Sequence, residues 1–144
     1  MIKIICVGKL KEQYLKEGIN DYYKRINKYH KIEIIELPDS NIDKEKELIE
    51  KNINPKDYII TLDIEGNNLT SKDLADKLDK IFITNPNITF IIGGSDGIHQ
   101  EIKKISNYSL SFSKQTFPHG LFRLILLEQI YRSFKIINNE SYHK

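Results

Sequence analysis

At 144 residues, with 40% hydrophobic and 29% charged residues, the chain has the size and composition of one globular domain and no spare length for a second. Its apolar runs fall far short of the ~20 residues that span a bilayer, and residues 1–8 lack the basic flank and cleavage site of a signal peptide. Membrane-embedded and exported classes are therefore set aside. The net charge of +2 conceals a segregation: residues 1–31 carry eight Lys/Arg against three Asp/Glu, residues 32–98 seven against fourteen, and residues 99–144 seven against three. If the two basic ends meet in the fold, they form a face that attracts phosphates over a Debye length; otherwise they are solvated helix faces.

Residues 2–7 read as a buried strand ended by Gly8. The lone cysteine, Cys6, lies in this strand; it forms no internal disulfide, which fits a reducing cytoplasm, and reads as an inert buried thiol. Residues 12–28 place Tyr14, Leu15, Ile19, Tyr22, Tyr23 and Ile26 at helical spacing, and residues 31–37 alternate as a strand stopped by Pro38. A short helix is predicted before Pro55. Residues 58–64 form the next strand, closed by Glu65-Gly66-Asn67-Asn68, which reads as a turn. Thr70-Ser71-Lys72-Asp73 has capping-box spacing and opens a helix to about Phe82. A strand over 88–92, a short helix over 98–105, a strand over 108–112 and a last helix from Pro118 to about Asn138 follow. The strand–helix alternation predicts a single α/β domain over residues 1–144, a mainly parallel sheet with helices on both faces.

The last helix is apolar nearly all round, with Leu121, Phe122, Leu124, Ile125, Leu126, Leu127, Ile130, Tyr131, Phe134, Ile136 and Ile137. Such a helix is buried on every side, and one domain of this size does not easily cover two opposite faces. A homodimer is the favoured reading over a tightly wrapped monomer. On the same helix Glu128 and Arg132 stand at i, i+4 in the favourable order. They are either a helix-stabilising pair or an arginine held to meet a phosphate or a base.

Two late strands each end in a polar loop of small residues: Gly93-Gly94-Ser95-Asp96-Gly97, and residues 111–119. In open α/β sheets ligands bind just beyond the carboxyl ends of strands. The glycine cluster is neither a P-loop nor a dinucleotide fingerprint, and by itself it is a tight turn. His30, His99, His119 and His143 are far apart and no second cysteine exists, so no metal site is expected. No nucleophile elbow is present. The tail, Glu140-Ser141-Tyr142-His143-Lys144, carries a ring, an imidazole and an ammonium suited to RNA, or is a frayed terminus.

Taken together and in order, residues 60–66, 90–97, 110–119, 128–132 and the terminal Tyr142-His143-Lys144 closely resemble the RlmH-type large-subunit ribosomal RNA methyltransferases, which methylate N3 of a pseudouridine and belong to the SPOUT class of knotted methyltransferases. The resemblance covers nearly the whole chain. It implies a SPOUT-type fold whose C-terminal segment threads a trefoil knot, a topology that chain physics alone disfavours. It implies S-adenosyl-L-methionine as cofactor, held at Leu62, at Gly93, and at Phe112, Ser113, Lys114, Gln115, Thr116 and Phe117. Gln115 stands where an apolar residue is common, and the segment between Pro38 and Pro55 is shorter than usual. The resemblance further implies a homodimer with the cofactor site near the partner subunit, and places Arg132, Tyr142 and His143 in catalysis or substrate handling. His143 would take the imide proton, or Arg132 would stabilise the anion. The partner expected is ribosomal RNA or the ribosome, in the cytoplasm. Rival readings are a non-catalytic ribosome-binding protein and a SPOUT enzyme acting on transfer RNA.

Overall fold

The computed structural model describes residues 1–142. Ten elements alternate along them: β1 (Ile2–Val7), α1 (Gln13–Asn27), β2 (Ile32–Leu37), α2 (Ile42–Lys51), β3 (Tyr58–Asn68), α3 (Ser71–Thr84), β4 (Ile88–Ile92), α4 (Gln100–Ile105), β5 (Tyr108–Ser111) and α5 (His119–Ile137). The five strands form one parallel sheet in the order β2-β1-β4-β3-β5. Ile4, Phe90 and Ile60 stand in register across its centre.

Strands covered on both faces read as unbroken apolar runs, and β4 is buried at all five positions. Its residues alternate between two cores. Ile88, Phe90 and Ile92 join Ile4, Ile60 and Leu110 under α1, α3 and α5. Ile91, with Ile5, Val7 and Ile59, meets Ile49 of α2 and Ile102 of α4 on the other face. Two helix starts, of α3 and α2, are fixed by side chains: the Thr70 hydroxyl accepts from the Asp73 amide at 3.0 Å, and the Asn41 side-chain carbonyl from the Lys44 amide at 2.8 Å. Pro118 stands just before α5, and its carbonyl accepts the Phe122 amide at 2.9 Å. No described helix is long and apolar enough to cross a membrane.

One element departs from expectation. Glu65-Gly66-Asn67-Asn68 is not a closing turn: β3 bulges after Leu62 and resumes, so that Leu62 and Asn67 both face Leu110 and Asn68 faces Ser111. The Asn67 and Asn68 amides donate to the Ser109 and Ser111 carbonyls at 3.1 and 2.9 Å. Gly66 is needed for close approach, since a Cβ there would lie 2.8–2.9 Å from the backbone of Ser109 and Leu110. Turn-forming residue types are equally at home in a bulge. The bulge turns Asp63 and Ile64 into the space above the sheet edge.

α5 lies between α1 and α3. Its own chain buries Leu126, Leu127, Ile130, Tyr131 and Phe134, whereas Leu121, Phe122, Leu124, Ile125, Ile136 and Ile137 stay half-buried. The helix is thus covered more evenly by its own domain than the all-round apolar pattern suggests, yet not completely.

Candidate active site

The carboxyl ends of β4, β3 and β5, adjacent in the sheet, open a cleft of about 630 Å³, well within the range of small-molecule sites. At β4, Gly93 lets the chain fold back on itself: a Cβ there would stand 2.5 Å from the Gly97 carbonyl oxygen. The Gly97 amide donates to the Gly94 carbonyl at 3.0 Å, with Gly97 at φ +79°. The loop is a tight turn and a ligand-facing wall at once. At β5, the Ser111 hydroxyl donates to the Ser113 carbonyl, and the Ser113 hydroxyl accepts from the Gln115 amide, both at 3.0 Å. Phe122 of α5 packs its ring against Phe112 at 5.4 Å and Phe117 at 6.1 Å. The cleft is thus lined by both aromatic rings and a glycine loop.

The first turn of α5 is fastened from below. Arg123, 2% exposed, donates to the Glu36 carboxylate at 2.5 Å and to the Gly8 carbonyl at 3.1 Å. The same Glu36 oxygen accepts from the Leu10 amide at 3.1 Å. One buried cation therefore joins the ends of β1 and β2 to the helix turn that presents His119 and Phe122 to the cleft. Removing Glu36 would leave this buried guanidinium uncompensated.

Of the cofactor residues expected from sequence, Leu62, Gly93, Phe112, Ser113, Gln115, Thr116 and Phe117 line this cleft together. Lys114 is exposed and does not line it. Arg132 and Tyr142 lie elsewhere. Arg132 follows His119 by thirteen residues, ~20 Å along the helix axis at 1.5 Å per residue. There the Arg132 Nε donates to Glu128 Oε1 at 3.0 Å, with its terminal nitrogen on the same oxygen. The Tyr142 hydroxyl donates to that oxygen at 3.3 Å, and the guanidinium sits 4.8 Å over the Tyr142 ring. The Glu128 hydrogen bond pushes the Arg132 pKa up. Burial first, then Tyr22 and Glu128, push the Tyr142 phenol well up, so at neutral pH it is a donor and not a base. Expected catalytic residue His143 lies outside the described residues.

The basic ends do meet, because α1 packs along α5. Arg25 lies over the Tyr22 and Tyr131 rings at 5.4 and 5.5 Å, and Lys135 over Tyr29 and Tyr131 at 5.7 and 5.5 Å. Cys6 is inert: burial pushes its thiol up to about 11. No cluster of three or more potential metal ligands occurs among the described residues.

Sequence reasoning missed two ion pairs at this edge, Arg123–Glu36 and Lys103–Asp63, the latter at 3.0 Å. Arg123 carried a signal, as a cation flanked by apolar residues near the start of α5. The second pair carried none, since Lys103 and Asp63 are forty residues apart and meet only through the β3 bulge.

Three comparisons bear on this geometry. The family model described as predicted SPOUT methyltransferase matches residues 1–143. Relatives at full length include a putative ribosomal RNA large subunit methyltransferase H of Methanococcus maripaludis, 50% identical over 157 aligned positions, and a ribosomal RNA large subunit methyltransferase H of Acetivibrio thermocellus, 47% identical; in each case 99% of both chains is covered. The aligned length exceeds 144, so these relatives carry residues that this chain lacks. Among solved structures, a probable methylase family protein from Haemophilus influenzae superposes with a TM-score of 0.61 at 13% identity, covering 99% of this chain and 70% of that one. The tRNA (m1G37) methyltransferase from Aquifex aeolicus superposes at 0.55 with 16% identity, covering 91% and 69%. At those identities the likeness speaks for the fold, while the family rests on the full-length matches: this chain belongs to the SPOUT methyltransferases.

Proposed function

We propose that this protein is an S-adenosyl-L-methionine-dependent methyltransferase that methylates N3 of a pseudouridine in the 23S RNA of the large ribosomal subunit. The observation that carries the reading is the convergence of three strand ends on one cleft, in a chain about half identical over its full length to proteins named ribosomal RNA large subunit methyltransferase H. The cleft fits the cofactor: glycine backbone where a Cβ would collide, aromatic rings for a flat base, and a volume suited to a molecule of that size. Leu62, Gly93 and the loop 112–117 hold it, with Lys114 contributing through its main chain. When bound, the cofactor supplies a methyl group on a positively charged sulfur.

The remaining work is to orient the base and remove the N3 proton, since transfer to an aligned nucleophile is mostly positioning. Arg132, held rigid by Glu128, stabilises the developing N3 anion, and Tyr142 donates a hydrogen bond beside it. His143 takes the proton. In one chain Arg132 and Tyr142 are a helix length from the cleft, so the complete site is shared: in a homodimer the second copy brings its α5 end to the first copy's cleft. Half-buried Leu121, Ile125 and Ile136 supply apolar surface for that contact. The basic, aromatic α1–α5 side holds RNA phosphates. The enzyme acts in the cytoplasm, and the threaded C-terminal path belongs to the same proposal.

The test is mass mapping of ribosomal RNA from cells lacking this protein, followed by methylation of that RNA or subunit with purified protein. Loss of one methyl group from a 23S pseudouridine, restored in vitro, is the expected result. An unchanged methylation map overturns the proposal.

A further inference from the structure

Two chemically distinct groups line the cleft. One is the aromatic wall of Phe112, Phe117 and Phe122. The other is a salt bridge: Lys103 Nζ on α4 lies 3.0 Å from Asp63 Oδ2 on the β3 bulge, and both residues line the cleft. The two side chains are 31% and 15% exposed, so both charges have lost part of their hydration. A partly buried ion pair contributes little net stability after its desolvation cost, so stability alone does not account for it. The bulge that delivers Asp63 also interrupts β-pairing and requires a glycine at position 66. The other Asp63 oxygen accepts from the Glu65 amide at 3.2 Å, which fixes the carboxylate in place.

We propose that Asp63 and Lys103 form the subsite for the charged amino-acid end of the methyl donor, Asp63 taking its ammonium and Lys103 its carboxylate. This rests on the methyltransferase reading above. A zwitterion carries both charges on one carbon, and a preformed pair of opposite charges presents the complementary partners at a matching separation. The ligand exchanges one internal salt bridge for two charge-assisted contacts. The aromatic rings then take the base.

The test compares S-adenosylhomocysteine with 5′-methylthioadenosine, which shares the nucleoside but lacks the amino-acid end, by calorimetry on the full chain. The variants are Asp63→Asn, which keeps an acceptor for the Glu65 amide, and Lys103→Met, which keeps the aliphatic stem; thermal melting checks that each folds. Wild-type protein is expected to prefer S-adenosylhomocysteine. Each variant should lose about tenfold in affinity for it, the scale of one charge-assisted hydrogen bond, while binding of methylthioadenosine changes less than about twofold. Equal losses for both ligands, the pattern of a ribose contact or of a distorted cleft, overturn the subsite. Unchanged affinities for both overturn it too. Wild-type protein that binds neither nucleoside overturns the methyltransferase reading itself, and this inference with it.

Discussion

At the carboxyl edge of the sheet the cleft is lined largely by main chain, glycine and aromatic rings around one Asp63–Lys103 pair; thirteen residues further along α5 stand a guanidinium, a carboxylate and a phenol. The first region is shaped by what is missing: no Cβ fits at Gly93, and backbone closes the loop behind it. The second is held by side chains sharing one Glu128 oxygen. A region shaped mainly by backbone is built to bind and orient, and its Asp63 and Lys103 charges are paired to each other. A charged side-chain cluster can manage charge, but without a cavity it has nothing to act on. In the proposed shared site the two regions complement each other, and a single chain keeps them ~20 Å apart along the helix.

That division predicts different failures in the two regions. The largest effect is expected from Gly93→Ala: its methyl would meet the Gly97 carbonyl oxygen at 2.5 Å, so the loop must shift, and cofactor affinity should fall by about a hundredfold or more, equivalent to ~3 kcal/mol. Calorimetry with S-adenosylhomocysteine reads this directly. Next is Arg132→Gln, which should lower turnover by about a hundredfold, on the scale of losing one group that stabilises developing charge, with cofactor affinity nearly unchanged. Matched losses in both quantities would merge the two regions into one and sink the distinction.

Arg123 sharpens the comparison from beneath the cleft. Arg123→Ala leaves the Gly8 carbonyl without its side-chain donor and the half-exposed Glu36 with only the Leu10 amide, and should cost about 1–2 kcal/mol in urea denaturation. Cofactor affinity should fall with it, because the same turn of α5 carries Phe122.

The smallest effect belongs to the far region. His30 stacks on Phe82 at 4.5 Å and Phe134 at 6.0 Å; burial first, then the nearby N-terminal ammonium, lowers its pKa below the ordinary 6.5. As pH falls through that ordinary value the unfolded chain takes up the proton first, so stability drops on acidification and is fully present above it. Urea midpoints at pH 7.5 and pH 5.5 should show a decline that His30→Gln flattens; an identical decline in the variant would remove His30 as its source.

How much of this could be read from residues follows the same line. Strands such as β1 and β4 are legible because burial on both faces leaves unbroken apolar runs, and Gly93 because no other residue type fits a loop that closes on itself. Residues 65–68 were misleading because Gly and Asn serve turns and bulges alike; only the pairing with β5 decides between them. The Asp63–Lys103 pair follows from that bulge and was equally invisible. The resemblance singled out Arg132 and Tyr142, but their distance from the cleft was not legible, since strand and helix periodicity says nothing about which chain completes a site.

The shared site is therefore the claim on which most depends, and subunit mixing tests it most directly. Gly93→Ala and Arg132→Gln proteins, each inactive alone, are unfolded and refolded together in equal amounts and assayed for methylation. Half of the dimers should then pair one intact cleft with one intact Arg132, restoring about a quarter of wild-type activity if sites are built across a two-fold interface. A mixture as inactive as its parents would contradict the account, because it would place the cleft and the arginine that serves it in the same chain.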